Sequence, residues 1–217
     1  MDKETVIEKT IDFVKNTLSD AEGGHDWWHI YRVWKTARKI ASEEPADRFI
    51  VELGALLHDI ADSKFHNGDE TIGPKTARDF LHSLNLSESI ISHVQNIVEN
   101  ISFKGGYEQA KFRSIELDIV QDADRLDALG AIGIARAFNY GGFKNRKIYD
   151  PAVKPVLKRT REEYKHNNAP TINHFYEKLF LLKDRMNTRT GKIMAEQRHK
   201  FMEQFVEQFY REWEGGI

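Results

Sequence analysis

Cysteine is absent from the 217-residue chain. Disulfides and thiolate zinc sites are therefore excluded, and a metal would have to be held by imidazole and carboxylate. An excess of positive charge is absent as well: 32 Lys and Arg stand against 34 Asp and Glu, a formal net charge of −2. No global basic field exists to hold a nucleic acid by its phosphates, so phosphate binding must come from a local pocket. No apolar run approaches the length that spans a bilayer. The opening Met1-Asp2-Lys3-Glu4-Thr5 is charged and lacks the apolar stretch of a signal peptide, so a soluble, cytoplasmic protein with no membrane partner is expected. Alternating strand patterns of the usual length and internal repeats are also missing.

What is present is helical periodicity, and the expected fold class is all-α. Val6, Ile7, Ile11, Val14 and Leu18 recur at three- and four-residue steps. After Gly23-Gly24, a second amphipathic stretch runs from about Asp26 to Ser42 and stops before Pro45. A third, with Ile50, Leu53, Ala55, Leu56 and Leu57, leads into His58-Asp59. Further helices are expected over Pro74 to Leu84, Ser87 to Asn100 (with Ser87 as N-cap), Ile115 to Leu129, Ala131 to Tyr140, Thr171 to Met186 and Gly191 to Trp213. The stripe Phe201, Phe205, Phe209 and Trp213 reads as core packing. Between them, Gly141-Gly142, the basic run Lys144-Asn145-Arg146-Lys147, Pro151 and Pro155 read as a long, partly mobile basic loop. The expected division is a metal-binding core over 1–138, the loop over 139–170, and C-terminal helices over 171–217 packing on the core.

The chemistry-bearing residues are unevenly placed. His25 and His29 lie one helical turn apart; His58-Asp59 ends an apolar helix; Asp122, Asp124 and Asp127 crowd a later one. Each alone is weak, because a lone helical histidine is more often a hydrogen-bonded or surface residue than a ligand. Jointly they are coherent. Imidazole nitrogen and carboxylate oxygen suit divalent Mn, Fe, Co, Ni or Zn. Two histidines and two aspartates set charge −2 against +2. On a helix Asp122 and Asp124 point about 200° apart, so only one of them faces a given ion.

The order His…His-Asp…Asp resembles the HD superfamily of metal-dependent phosphohydrolases. The segments HDWWHIYRVWKTA, LLHDIADSKFHNGDE, ISFKGG and VQDADRLDALGAIGIAR are similar to the bacterial YpgQ/YedJ-type HD proteins, and the likeness covers nearly the whole chain. It implies an HD-domain helical bundle with additional C-terminal helices. It implies one divalent metal, manganese first and Mg, Fe, Co, Ni or Zn as alternatives, on His29, His58, Asp59 and Asp124, with Asp122 the competitor for the last position. It places His25 near substrate. It gives Asp62 a role in handling the attacking water or the leaving oxygen, on the same side as His58 and Asp59 if that helix continues. Lys64, Lys104, Arg125 and Arg136 are candidate phosphate contacts, and Trp27 and Trp28 candidate base-stacking faces, with core packing expected for at least one of them. The implied activity is hydrolysis of a small nucleotide, with a nucleoside triphosphate giving monophosphate and pyrophosphate, by a monomer or homodimer. The rivals are a binuclear cyclic-nucleotide or dinucleotide phosphodiesterase recruiting His66, His82 or His93, a di-iron oxygenase on the same scaffold, and a non-catalytic nucleotide sensor.

Overall fold

The computed structural model describes residues 1–19, 26–61, 69, 71–101, 112–157 and 168–216. Its elements are α1 (Lys3–Thr17), α2 (Trp27–Ala41), α3 (Arg48–Leu57), α4 (Ile72–Ser83), α5 (Glu88–Asn100), α6 (Ile115–Asp127), α7 (Gly130–Phe143), α8 (Asn173–Glu177), two short 3-10 turns (Leu179–Leu181 and Lys183–Arg185) and α9 (Arg189–Trp213). The all-α expectation holds, with no strand among the described residues. No helix among them is long and apolar enough to cross a membrane. The chain divides into two compact units, Met1–Asp124 and Arg125–Ile217.

In the first unit α3 is the central helix. Val51, Leu53, Ala55, Leu56 and Leu57 are fully buried, so it is apolar around most of its circumference, as fits a helix surrounded by others, with Glu52 as its buried charge. It packs against α1, α2 and α5, and α4 packs on α5. Gly54 permits the close approach: a Cβ there would stand 3.1 Å from Ile97 of α5 and 3.5 Å from Val120 of α6. Two buried carboxylates tie the helices together. Glu52 accepts from the Trp34 indole N–H (2.9 Å) and from Arg48 Nε (2.9 Å). Glu116 accepts from the Asp47 backbone N–H (3.0 Å) and faces His93 at 3.2 Å.

In the second unit α7 packs on α9 around an aromatic cluster. Phe175 is fully buried, stacked on Phe205 (centroids 5.8 Å apart, 18° between planes) with Phe138 at 6.0 Å.

The structure corrects four local expectations. Helix α7 does not stop at Tyr140. It runs through Gly141-Gly142 and ends in a Schellman motif, with Asn145 at φ 52° and bonds from Arg146 N–H to the Gly141 carbonyl (2.8 Å) and from Asn145 N–H to the Gly142 carbonyl (3.0 Å). The continuous helix expected from Thr171 to Met186 is instead α8 and two 3-10 turns. In a 3-10 turn, residues three apart still share a face, so Leu179 and Leu182 stay buried and the apolar spacing cannot tell the two conformations apart. Ser87 sits at the N-cap of α5 without a side-chain cap bond, its hydroxyl pairing with Ser89 at 3.1 Å. The stripe on α9 is not wholly core: Phe201 and Trp213 are about half exposed, and the buried set is Ala195, His199, Met202 and Val206.

Candidate metal centre

Helix α2 begins at Asp26, whose carboxylate accepts the His29 backbone N–H at 2.9 Å. That cap fixes the first turn and with it the backbone of His29. The stripe Ile30, Val33, Ala37 and Ile40 is fully buried and sets the rotation of the helix, leaving His29 inside the first unit at 2% exposure.

His58 is placed by the end of α3. The helix closes at Leu57, His58 is its C-cap, and Ile60 N–H turns back to the Leu57 carbonyl (3.2 Å). The last carbonyls of a helix lack intrahelical partners. One of them, Ala55 O, accepts the His58 Nδ1–H at 2.8 Å. A carbonyl only accepts, so Nδ1 carries the proton and Nε2 is left as a lone-pair donor. The same bond fixes the tautomer and aims the ring, as the outer partners of metal-bound histidines do.

Ligand atoms of His29, His58 and Asp59 lie within 4.8 Å of one another, the two histidines buried and Asp59 half-buried. The two rings stand edge-on, 5.3 Å apart at 65°. From α6, Asp124 brings Oδ1 to 3.5 Å from His29 Nε2 and 4.0 Å from His58 Nε2. These separations exceed ordinary hydrogen bonds. They match the spacing of two ligands on one ion: bonds of about 2.1 Å place cis ligands about 3.0 Å and trans ligands about 4.2 Å apart. The donor set therefore fits a divalent cation by chemistry, protonation and spacing. Asp122 is fully buried, whereas the Asp124 side chain is 42% exposed.

Arg125 and Arg136 have partners inside the second unit. Arg125 donates to the Arg185 carbonyl (2.8 Å), and Arg136 pairs with the Asp127 carboxylate and donates to its carbonyl (3.3 Å). His82 is exposed, and His93 is engaged by Glu116 and by Ser114 Oγ (3.0 Å). Among the described residues, His29, His58 and Asp59 form the one convergent group of three or more potential ligands. His25, Asp62, Lys64, His66 and Lys104 lie outside the described residues. The helix on which Asp62 was expected to share a side with His58 ends at Leu57. Trp28 is exposed beside His29, while half-buried Trp27 lies against Tyr31 (6.0 Å) and under Lys15 (5.0 Å). Sequence reasoning missed the Asp26 cap and the Ala55 carbonyl, the two groups that orient the histidines. Asp26 ahead of an apolar stripe was a legible capping signal; a backbone carbonyl leaves none.

The model of the HD domain matches residues 27–129, which contain all four clustered side chains. The chain is 38% identical over 209 residues to the YpgQ protein of Bacillus subtilis, covering 96% of this chain and 94% of that one. This chain belongs to the HD family. The HD fold is also seen in a crystal structure of an HD-superfamily hydrolase from Bacillus thuringiensis, with 48% identity, a TM-score of 0.81, and coverage of 98% and 99% of the two chains. The Bacillus subtilis YpgQ structure in complex with ADP matches at 33% identity and TM-score 0.78, covering 98% and 97%. HD domains bind divalent metals, and this HD protein is a hydrolase.

Proposed function

We propose that this HD protein hydrolyses a phosphoanhydride bond in a small nucleotide, releasing a nucleoside monophosphate and pyrophosphate from a triphosphate. The observation that carries the reading is the convergence of His29, His58, Asp59 and Asp124, with His58 Nε2 held as a free donor by the Ala55 carbonyl. The ADP complex of a relative supports the ligand class.

When bound, a divalent cation supplies Lewis acidity toward a phosphoryl oxygen. The four side chains contribute charge −2 and keep the occupied site near neutral. Asp124, whose side chain is 42% exposed, leaves its side of the cluster open to water and substrate. Asp62 is assigned the proton of the attacking water or of the leaving oxygen. Lys64 and Lys104 are assigned to the phosphates and His25 to the substrate. The roles of His25 and Asp62 rest on the family resemblance, and those of Lys64 and Lys104 on the need of phosphates for fixed positive charge. Exposed Trp28, next to His29, offers a face for the base. Arg125 and Arg136 are left with their partners in the second unit.

A panel of nucleoside triphosphates with added manganese, with products separated by chromatography, tests the proposal. Monophosphate and pyrophosphate are expected, and His58→Ala or Asp59→Ala should abolish metal binding and turnover together. Full activity in either variant, or a nucleoside diphosphate and orthophosphate in place of monophosphate and pyrophosphate, would overturn it.

A further inference from the structure

We propose that the second unit carries a separate anion pocket, which takes the diphosphate or triphosphate group of a nucleotide or free inorganic polyphosphate. A cavity of about 620 Å³ is lined by Lys144, Asn145, Arg146, Lys147, Asp150 and Val153 together with residues 168–170. Its size falls within the ~300–1,000 Å³ range of small-molecule sites. Among the described residues of the lining, three cations, Lys144, Arg146 and Lys147, stand with one carboxylate, Asp150, in a chain whose total charge is −2.

The frame is built by the backbone. The Schellman motif at the end of α7 turns the chain at Asn145 and occupies the Gly141 and Gly142 carbonyls, so these helix-end acceptors are already bonded. Thr171 and Ile172 N–H then donate to the Lys147 and Ile148 carbonyls at 2.9 and 3.1 Å. Gly141 permits that approach, since a Cβ there would fall 2.1 Å from Thr171 Oγ1. Asn173 Nδ2 holds the far side by donating to the Val153 carbonyl (3.0 Å). Lys144, Arg146 and Lys147 are thus presented from a fastened turn, which reduces the ordering cost of binding.

Two features point to a phosphate-bearing ligand. Among the described residues Lys147 pairs with Asp150 (2.9 Å), a solvent-facing and weak interaction that a polyphosphate can displace. Beside the cavity, Tyr140 and Phe143 are 50% and 67% exposed, with Lys144 Nζ 5.0 Å from the Phe143 ring and the Arg146 guanidinium 5.4 Å from Tyr140. Cations interleaved with exposed rings suit phosphate and base together.

The test is calorimetric titration of the full chain with pyrophosphate and with ADP, in chelator and at low salt, so that the metal centre takes no part. Both ligands should bind wild type and His58→Ala equally. Lys144→Ala/Lys147→Ala, which alters two solvent-facing side chains, should weaken both by about 10- to 100-fold, the worth of a lost charge-assisted contact. Circular dichroism checks that the double variant is folded, and Lys144→Glu alone should weaken binding in the same direction. ADP binding tighter than pyrophosphate identifies a nucleotide; equal affinities identify the polyphosphate group as sufficient. Unchanged affinity in the lysine variants, loss of binding in His58→Ala, or no binding by wild type would overturn the proposal. A single-stranded oligonucleotide binding more tightly than either ligand would also overturn it, in favour of a nucleic-acid surface. None of these outcomes depends on turnover at the metal centre.

Discussion

Asp122 and Asp124 offer the sharpest separation of ligand from scaffold, because opposite sides of one helical turn give them opposite surroundings. Asp124 reaches toward both histidines and is 42% exposed, whereas Asp122 has no exposed surface. With free Mn²⁺ at about 1,000 times Kd, binding to the native state alone stabilises wild type by about 4 kcal/mol. For a chain of this length that raises Tm by roughly 8–16 °C. Asp124→Asn removes one of four donors. If affinity falls about 100-fold, the ion stands at only about 10 times the new Kd and contributes about 1.4 kcal/mol. The metal-induced rise should then shrink to roughly 3–6 °C, while the metal-free Tm stays within about 2 °C of wild type, as for a partly exposed side chain. Asp122→Asn should do the reverse. It disturbs a fully buried carboxylate, costs about 1–3 kcal/mol in the metal-free protein, and leaves the metal-induced rise intact. Differential scanning fluorimetry with and without Mn²⁺ reads both quantities. An undiminished rise in Asp124→Asn with a lost rise in Asp122→Asn would show that α6 presents the other carboxylate to the ion.

Glu52→Ala strips the acceptor from the buried Trp34 indole and from Arg48, and should lower stability by about 2–3 kcal/mol in urea denaturation; a loss under about 0.5 kcal/mol would mean the network is replaced by water. His174 is held neutral in the fold, its pKa lowered from 6.5 to about 4 by burial first and then by the charges of Lys178 and Arg146. The folded form therefore binds its proton later than the unfolded form. The second unit keeps its full stability above pH 6.5 and loses at most about 3 kcal/mol as pH falls to 4. His174→Gln should flatten that slope in thermal melts across the window, and an unchanged slope would place the titration elsewhere.

How far these features were legible in the sequence follows from what periodicity encodes. The helices of the first unit were readable because each buries one face, and the three- or four-residue recurrence of apolar residues is the direct record of that face. His58-Asp59 was readable as a pair, but its orientation was not. The ring is aimed by a backbone carbonyl that becomes available only because α3 ends at Leu57, and backbone carbonyls carry no sequence signature. The two aspartates show the limit from the other side. Helix geometry forces them apart, yet which one faces the histidines depends on how α6 is rotated. Ile119, Ala123 and Leu126 are fully buried, and Asp122 falls within their stripe. The apolar pattern on α6 thus argued for Asp124 as the outward carboxylate.

The α9 stripe failed for a related geometric reason. Steps of exactly four residues advance about 40° beyond a full turn, so three steps carry Trp213 about 120° away from Phe201. A buried face must alternate steps of four and three, as Ala195, His199, Met202 and Val206 do. The residues on the drifting stripe consequently divide their roles: Phe205 packs on Phe175 inside the second unit, Phe201 faces outward, and Trp213 meets Tyr149 at 5.0 Å near the solvent. Tyr149 follows the basic turn directly, and Phe209 also lies against it at 6.0 Å. The aromatic end of α9 therefore anchors the segment that leaves Lys144, Arg146 and Lys147 around their cavity. The C-terminal end of that stripe and Tyr149, in the segment expected to be a loop, thus pack together within the second unit.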